Sequence, residues 1–183
     1  MVADGPARLG GSGRRGAVFE QLEIGVAAAQ EELPRRRALE TGDSVCDRGE
    51  VISSFARQTV ADARREVPGE GPEHVAAVVE RVLVGINSFE PMHRFLDRDP
   101  EYALRFLTSK ESTVQRGSVE LIRELLSDQV RVGALETPIE LEDVAHVIIR
   151  IGESFLYSDV IIGSEPNVEV AGQMVRLLLG ASR

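Results

Sequence analysis

The sequence predicts an all-α protein, and three features support that fold class. Apolar residues recur at spacings of three and four along several segments, which is the period of an amphipathic helix. No segment shows the sustained alternation of apolar and polar residues that marks a half-buried strand. Hydrophobic residues make up 43% of the chain but aromatic residues only 4%, so the core must be largely aliphatic, which suits packed helices.

The first strong helical pattern runs from Val51 to Val67, and the Pro- and Gly-rich segment at residues 68–72 ends it. A second amphipathic helix is predicted from Val75 to Ile86. The sequence Phe89-Glu90-Pro91 breaks that helix before a short apolar piece at residues 92–96.

Asp99, Pro100 and Glu101 have the order of a helix start, with a capping residue, proline at the first position and an acid in the first turn. The helix that they open is interrupted at residues 108–112 and resumes as far as Gly133. One bent helix or two abutting helices would both satisfy this pattern.

Two further helical segments complete the chain. Residues 141–162 are apolar on nearly every side, and a helix of that kind must be covered on both flanks. Pro166-Asn167 predicts the start of the last helix. Glycine destabilises a helix by roughly 1 kcal/mol relative to alanine, so we expect Gly152 and Gly172 to allow close approach of neighbouring helices.

The N-terminal region differs from the rest in composition. Residues 1–16 are Gly, Ala, Arg and Ser with almost nothing apolar, which predicts a disordered tail. Residues 17–33 tolerate a helix, and Pro34 would terminate it. A chain of 183 residues suits a small head of this kind fused to a larger helical body.

Composition also limits the compartment and the partners. Cys46 is the only cysteine, so an internal disulfide and a Cys-rich metal site are excluded. No apolar run reaches the roughly 18 residues of a membrane span, and the first five residues lack the order of a signal peptide. We therefore expect a soluble, cytoplasmic protein without a membrane partner. The net charge of −9 opposes non-specific attraction to nucleic acid, although a small basic patch would still suffice for docking.

Two stretches, FLDRDPEYALRFLTS at residues 95–109 and IRIGESFLYSD at residues 149–159, resemble the body of TetR-family transcriptional regulators of the QsdR type. The resemblance covers the last two thirds of the chain. It implies a helix-turn-helix-like head at residues 17–48, and a ligand-binding and dimerisation domain at residues 49–183. Within that domain it implies a linking helix at residues 51–67, and a dimer interface built by the last two long helices of each subunit.

The head departs from the family pattern. Glu31 stands where a turn glycine is expected, Pro34 lies at or just before the DNA-reading helix, and Glu40 replaces a large aromatic residue. Residues 1–40 hold six arginines and six acidic residues, so their net charge is zero. The head is therefore degenerate, and DNA is a doubtful partner. Its remaining DNA-binding candidates are Arg35, Arg36 and Arg37, which would contact phosphates or would simply be solvated.

The resemblance places a small-molecule pocket in the helical bundle, where much of the aromatic and methionine content lies. Such pockets are mostly apolar with a few polar groups, so an apolar small-molecule effector is predicted. The predicted ligand-pocket residues are Phe89, Met92, His93, Phe95, Leu96, Tyr102, Phe106, Ile122 and Phe155. For each residue taken singly, a place in the plain core is equally consistent with the sequence.

A homodimer is predicted through the helices that begin near Leu141 and Val168. The predicted interface residues are Val144, Ile148, Ile151, Phe155, Ala171, Val175 and Leu178. Arg150, Glu153 and Tyr157 share one helix face, and two explanations remain open for them. Arg150 and Glu153 would form an ion pair, within the helix or across the dimer, or Tyr157 would orient a ligand.

Enzymatic chemistry has little support in the sequence. Three histidines and one cysteine lie at scattered positions, without a Gly-rich phosphate loop or a recognisable metal spacing. We therefore expect no enzyme, no metal and no cofactor. His74 is predicted to be exposed, His146 to lie at an interface, and His93 to be partly buried as a structural or pocket residue.

Two functions follow from these observations. The first is a dimeric transcriptional repressor whose apolar small-molecule ligand acts on the head through the linking helix. The alternative is a ligand-binding or interaction dimer that has kept the regulator body and lost DNA binding, which Glu31, Pro34 and Glu40 favour.

Overall fold

The computed structural model describes residues 45–180, which form eight helices and contain no strand. The predicted all-α class is confirmed. The helices are α1 (Val45–Glu66), α2 (Gly71–Asn87), α3 (Glu90–Arg98), α4 (Pro100–Thr108), α5 (Thr113–Arg131), α6 (Leu141–Leu156), α7 (Ser158–Ile162) and α8 (Val168–Leu178). The predicted tail, the predicted head as far as residue 44, and the arginines at 35–37 lie outside the described residues. The expected domain boundary at residues 48 and 49 falls inside α1.

The turn between α1 and α2 is fixed by glycine. Gly69 and Gly71 have φ of 112° and 72°, in the left-handed region that favours glycine. The Gly71 N–H donates to Gln129 Oε1 at 2.7 Å, and a Cβ at Gly71 would lie 2.8 Å from the carbonyl oxygen of Ala134. The start of α2 therefore packs directly against the end of α5.

The contact between Gly71 and Ala134 explains why the exposure of His74 differs from the one that the sequence predicts. Exposure was predicted, because the residue opens an amphipathic helix. The structure instead buries His74 to 9% exposure in the first turns of α2, close to the Gly71 contact with Ala134. The prediction was wrong because helix periodicity does not show that the loop after α5 covers this end of α2.

The segment from Pro100 to Arg131 is two abutting helices rather than one bent helix. Asp99 Oδ1 accepts from the backbone N–H of Tyr102 at 3.1 Å, which caps α4 as predicted. Ser112 Oγ accepts from the N–H groups of Val114 and Gln115 at 3.1 and 3.3 Å. This second cap satisfies N–H groups that have no partner inside the helix, so α5 begins independently of α4.

Helix α2 lies at the centre of the bundle, against α1 on one side and α8 on the other, while α6 packs between α5 and α8. A Cβ at Gly152 would lie 3.1 Å from Leu83 Cδ2, and one at Gly172 would lie 2.6 Å from Glu80 Oε2. Both glycines therefore allow close approach to α2, as predicted. The largest fully buried side chains are Leu125, Leu126, Ile148, Val75, Val78 and Val175.

The apolar segment at residues 141–162 is two helices rather than one. Helix α6 ends at Leu156, and Tyr157 has φ −106° and ψ 20° before α7 begins. The Ser158 hydroxyl lies 3.0 Å from the carbonyl oxygens of both Phe155 and Ser164 and donates its single proton between them, which stabilises the break. In the single chain Val147 is 45% exposed and Ile162 72% exposed, so one flank remains open. None of the helices at residues 45–180 is long and apolar enough to cross a membrane.

Candidate ligand-binding cavity

A partly open cavity of about 80 Å³ lies where α1, α2, α4, α5 and α6 meet, and we call it the internal cavity because side chains of the bundle form its walls. Its walls are mainly aliphatic. Helix α1 contributes Ala56 and Val60, α2 contributes Val79 and Leu83, and α5 contributes Ile122. These helices bring their apolar stripes together here, so the cavity is a gap in the hydrophobic core.

Four polar side chains line the same cavity: Gln115 and Ser118 of α5, Glu153 of α6, and Tyr157 just after α6. Gln115 and Tyr157 are 4% and 6% exposed. With its amide nitrogen turned toward Glu153, Gln115 lies 2.6 Å from Glu153 Oε1 and 3.3 Å from the carbonyl oxygen of Leu107. The cavity thus combines an apolar body with one polar wall, as small-molecule pockets usually do.

The partly exposed Arg150 forms an ion pair with the carboxylate of Glu153. Its Nη1 donates to Glu153 Oε2 at 2.6 Å, and its Nη2 donates to the carbonyl oxygen of Thr108 at 3.1 Å. The intrahelical ion pair is therefore present, and the same arginine also ties α6 to the last residue of α4. The ion pair does not exclude the second explanation, because Tyr157 lines the cavity as well.

Burial changes the acid–base behaviour of this wall. Desolvation raises the pKa of Glu153, and the guanidinium of Arg150 opposes that rise. Desolvation also raises the pKa of Tyr157, and the nearby carboxylate of Glu153 raises it further. Tyr157 is therefore a neutral phenol at physiological pH. It can donate a hydrogen bond, whereas Glu153 can accept one.

The structure distributes the predicted pocket residues over several places. Phe89 stacks on Phe55 with ring centroids 3.9 Å apart, and Met92 and Leu96 are buried in the core. His93 is half-buried, with Nε2 2.6 Å from the carbonyl oxygen of Asn87. None of these side chains lines the 80 Å³ cavity.

Of the remaining predicted pocket residues, only Ile122 lines the cavity. Phe95 and Tyr102 line a separate open cleft, and Phe106 packs edge-on against Phe95 at 5.6 Å. Phe155 is half-buried on α6, outside the cavity lining. A ligand-binding role for any of them stays a prediction.

Sequence reasoning did not single out Gln115, Val60 or Val79 as site residues. The valines belong to ordinary apolar stripes, which cannot show where a gap in the packing will fall. Gln115 offers a clearer signal, because it is a polar residue in the first turn of α5 directly after the buried Val114. A buried amide of this kind requires hydrogen-bond partners.

The predicted dimer residues also fall into different environments. Val144, Ile148, Ala171 and Val175 are buried within one chain, and Ile151 and Phe155 are half-buried. Leu178 is 42% exposed, and other apolar residues of the same two long helices are also exposed, namely Val147, Met174 and Leu177. These exposed side chains are the part of α6 and α8 that a second chain could reach.

The histidines do not assemble into a metal site. His146 is exposed on α6, with Nδ1 3.0 Å from the carbonyl oxygen of Glu142. Among residues 45–180, no group of three or more His, Cys, Asp or Glu side chains is placed to hold a metal ion.

Comparison with known proteins places this bundle in a family. Residues 70–180, more than half of the 183-residue chain, match the family model described as "Tetracyclin repressor-like, C-terminal domain". The chain is similar to the solved structure of the R. erythropolis transcriptional repressor QsdR from the TetR family, with a TM-score of 0.70 and 24% identity over 78% of this chain and 75% of that chain. At this identity the likeness shows a shared fold. No curated protein matches the chain. With a regulator-type C-terminal domain over most of its described length, the chain belongs to the TetR family of transcriptional regulators.

Proposed function

We propose that the protein is a cytoplasmic, homodimeric transcriptional repressor that responds to an apolar small molecule bound in the 80 Å³ cavity. The observation that carries the proposal is the position of the cavity. Ala56 and Val60 of α1, the helix that corresponds to the linking helix, form part of its wall. Whatever enters the cavity therefore touches the helix that leads to the head. The family is one of regulators rather than enzymes, and we assign no catalytic step.

The small volume of the cavity supports a conformational switch driven by the ligand rather than a preformed binding site. A volume of about 80 Å³ holds only a few water molecules, whereas pockets for drug-sized ligands measure about 300–1,000 Å³. A ligand must therefore move the surrounding helices apart. Binding then favours an expanded conformation over the compact one, and that difference in affinity is what a ligand needs in order to shift a conformational equilibrium.

The polar wall would select and orient the ligand. Glu153 and Gln115 are already hydrogen-bonded to each other, so a ligand that disrupts them without replacing the contacts leaves buried groups unpaired. An apolar molecule with one hydrogen-bonding end, directed at Glu153 and Tyr157, fits this arrangement best.

Thermal unfolding of the full chain with a library of apolar small molecules tests the cavity. A ligand at 100 times its Kd should stabilise the folded state by about 2.7 kcal/mol. Ala56→Leu, which fills the cavity from α1, should abolish the rise in Tm. Ala61→Leu, at an exposed position of the same helix, should retain it. Equal stabilisation of both variants would place the ligand elsewhere and contradict the proposal.

A second candidate function has its own support. Glu31, Pro34 and Glu40 replace residues expected in a working head, although they lie outside the described residues. A ligand-binding or interaction dimer without DNA binding would keep the same cavity and the same exposed residues on α6 and α8. The two functions differ in specific DNA binding alone.

A further inference from the structure

A second concave site lies on the outside of the bundle, where α1, α3 and α4 meet. It is an open cleft of about 620 Å³, within the size range of small-molecule sites, and the internal cavity shares none of its lining residues. Arg48 of α1, Arg94 and Arg98 of α3, and the rings of Phe95 and Tyr102 line it. We call it the arginine cleft. It holds two of the predicted pocket residues that the internal cavity does not use.

The charges of the arginine cleft favour an anion. Arg94 pairs with Glu90 at 3.1 Å, and the Asp99 carboxylate caps α4. Arg48 is different: its Nε is buried and, among the residues that the structure describes, has no hydrogen-bond partner. A buried donor of this kind is costly unless it is paired. Arg48 and Arg98 therefore supply guanidinium donors for a negatively charged ligand, in a chain of net charge −9.

The aromatic side chains of the arginine cleft favour a ligand whose uncharged part is a planar ring. The Phe95 and Tyr102 rings meet edge-on, with centroids 6.0 Å apart and planes at 90°, and Tyr102 is 37% exposed. The guanidinium of Arg48 lies 6.0 Å from the Phe95 centroid. A planar ring can pack against these groups while its acid reaches the arginines, because the guanidinium fork matches a carboxylate in a bidentate geometry.

The same features disfavour other occupants. A neutral apolar molecule would leave Arg48 Nε unpaired, whereas inorganic phosphate would leave the rings unused. Asp99 also lines the cleft and Glu90 pairs with Arg94, and both carboxylates would repel an extended phosphate backbone such as that of DNA. We propose that the arginine cleft binds a planar aromatic carboxylate and is a ligand site distinct from the internal cavity. Such a ligand would bridge Arg48 on α1 to Arg98 on α3.

The chain offers an internal reporter for this site. It contains two tyrosines, Tyr102 and Tyr157, and no tryptophan, so a Tyr157→Phe variant emits only from Tyr102. Titration of the full-length variant with 2-naphthoate should quench that emission by energy transfer and saturate at one ligand per chain. Calorimetry on the unaltered chain should give the same stoichiometry. The neutral isostere 2-naphthamide should bind at least about tenfold more weakly, since it lacks the charge-assisted hydrogen bonds.

Substitutions separate this site from the internal cavity. Arg48→Gln and Arg98→Gln should each weaken naphthoate binding at least about tenfold. Arg123→Gln, at an arginine of α5 outside the cleft, and Glu153→Gln, in the internal cavity, should leave naphthoate binding unchanged.

Four results would each overturn the proposal. The first two are an absence of saturable binding and an equal affinity for naphthoate and naphthamide. The other two are inorganic phosphate binding as tightly as naphthoate, and loss of naphthoate binding in Glu153→Gln alone. DNA that competes with naphthoate while both arginine variants lose DNA affinity would also overturn it, in favour of a backbone contact. The comparison of naphthoate with naphthamide needs no variant, so it decides the matter even if a substitution impairs folding. A failure here leaves the Ala56→Leu test of the internal cavity untouched.

Discussion

At the scale of single residues, the protonation of Glu153 links the charge in the internal cavity to the stability of the fold. Its carboxylate faces the cavity but is held by Gln115 on one oxygen and Arg150 on the other. A group in this position favours its protonated form more strongly when the chain is folded than when it is unfolded, because burial raises its pKa. The folded state therefore loses stability as the pH rises from the ordinary carboxyl pKa through the raised one.

We predict that Glu153→Gln removes this pH dependence. The difference in Tm between the wild type and the variant should move against the wild type as the pH rises from about 4 toward 8, because only the wild type must ionise a buried carboxyl. Circular dichroism melts across this range measure it. Glu101→Gln, at an exposed carboxylate that also pairs with an arginine, is the control and should track the wild type. A pH-independent difference between the wild type and Glu153→Gln would show that the carboxyl is not desolvated.

Asp128 should show the opposite behaviour. Hydrogen bonds from Arg131 and Arg64 lower the pKa of Asp128, so its contribution to stability is present above the ordinary carboxyl pKa and is lost as the pH falls. Asp128→Asn should destabilise the protein by about 1 kcal/mol or less at neutral pH, because the group is partly exposed. The difference from the wild type should vanish in acid. Urea unfolding at several pH values tests this, with the exposed Asp97→Asn as control. A loss that persists in acid would indicate a packing role for Asp128 instead.

At the scale of the elements, the starts of α4 and α8 could be predicted from the sequence but the cavity could not. Asp99 and Asn167 cap their helices through contacts within three residues, so local sequence determines those starts. The break at Tyr157 depends on Ser158 reaching the carbonyl oxygen of Ser164, which helix periodicity does not show. The cavity depends on how five helices fit together, and apolar stripes predict that they pack but not where a gap remains.

The close packing of α8 on α2 gives a prediction at this scale. Gly172→Ala should destabilise the fold by about 1–3 kcal/mol through overpacking, since its Cβ would lie 2.6 Å from Glu80 Oε2 and 2.9 Å from Glu80 Cβ. Gly117→Ala is the matched control on α5, where a Cβ would have no heavy atom within 4 Å. It should stabilise the protein by about 0.5–1 kcal/mol through helix propensity. Denaturant unfolding measures both changes, and a neutral Gly172→Ala would mean that α8 shifts freely on α2.

At the scale of the whole molecule, the apolar surface that one chain leaves uncovered indicates how the protein assembles. Apolar side chains on α6 and α8 remain exposed, with Leu177 at 73% and Val147 at 45%. Contiguous exposed apolar surface usually marks an interaction site. A second copy of the chain would cover these side chains in the proposed homodimer.

We predict that Leu177→Glu yields a folded monomer. A charge at this exposed position should oppose burial in the interface without disturbing the core. Ile148→Glu should instead unfold the chain, because Ile148 is 1% exposed inside the bundle. Analytical ultracentrifugation with circular dichroism distinguishes the two results. Val132→Glu, at an exposed apolar residue beyond the end of α5, should leave the dimer intact. An unaltered dimer in Leu177→Glu would place the interface elsewhere.

The predicted head at residues 17–48 would decide which of the two proposed functions the molecule has. The family match covers residues 70–180 and so does not include the head. The residues predicted to touch DNA, Arg35, Arg36 and Arg37, precede the described part of the chain. They lie in a segment whose opposite charges balance, so electrostatic attraction from the rest of the head is weak.

The most direct test of a DNA-binding repressor is fluorescence anisotropy of the DNA upstream of the protein's own gene, across a salt series and against non-specific competitor DNA. We predict specific binding whose affinity falls linearly with salt on logarithmic axes, and which an Arg35→Ala, Arg36→Ala, Arg37→Ala triple variant abolishes. Binding no tighter than to the competitor DNA would contradict the repressor and leave a ligand-binding dimer that has lost its head.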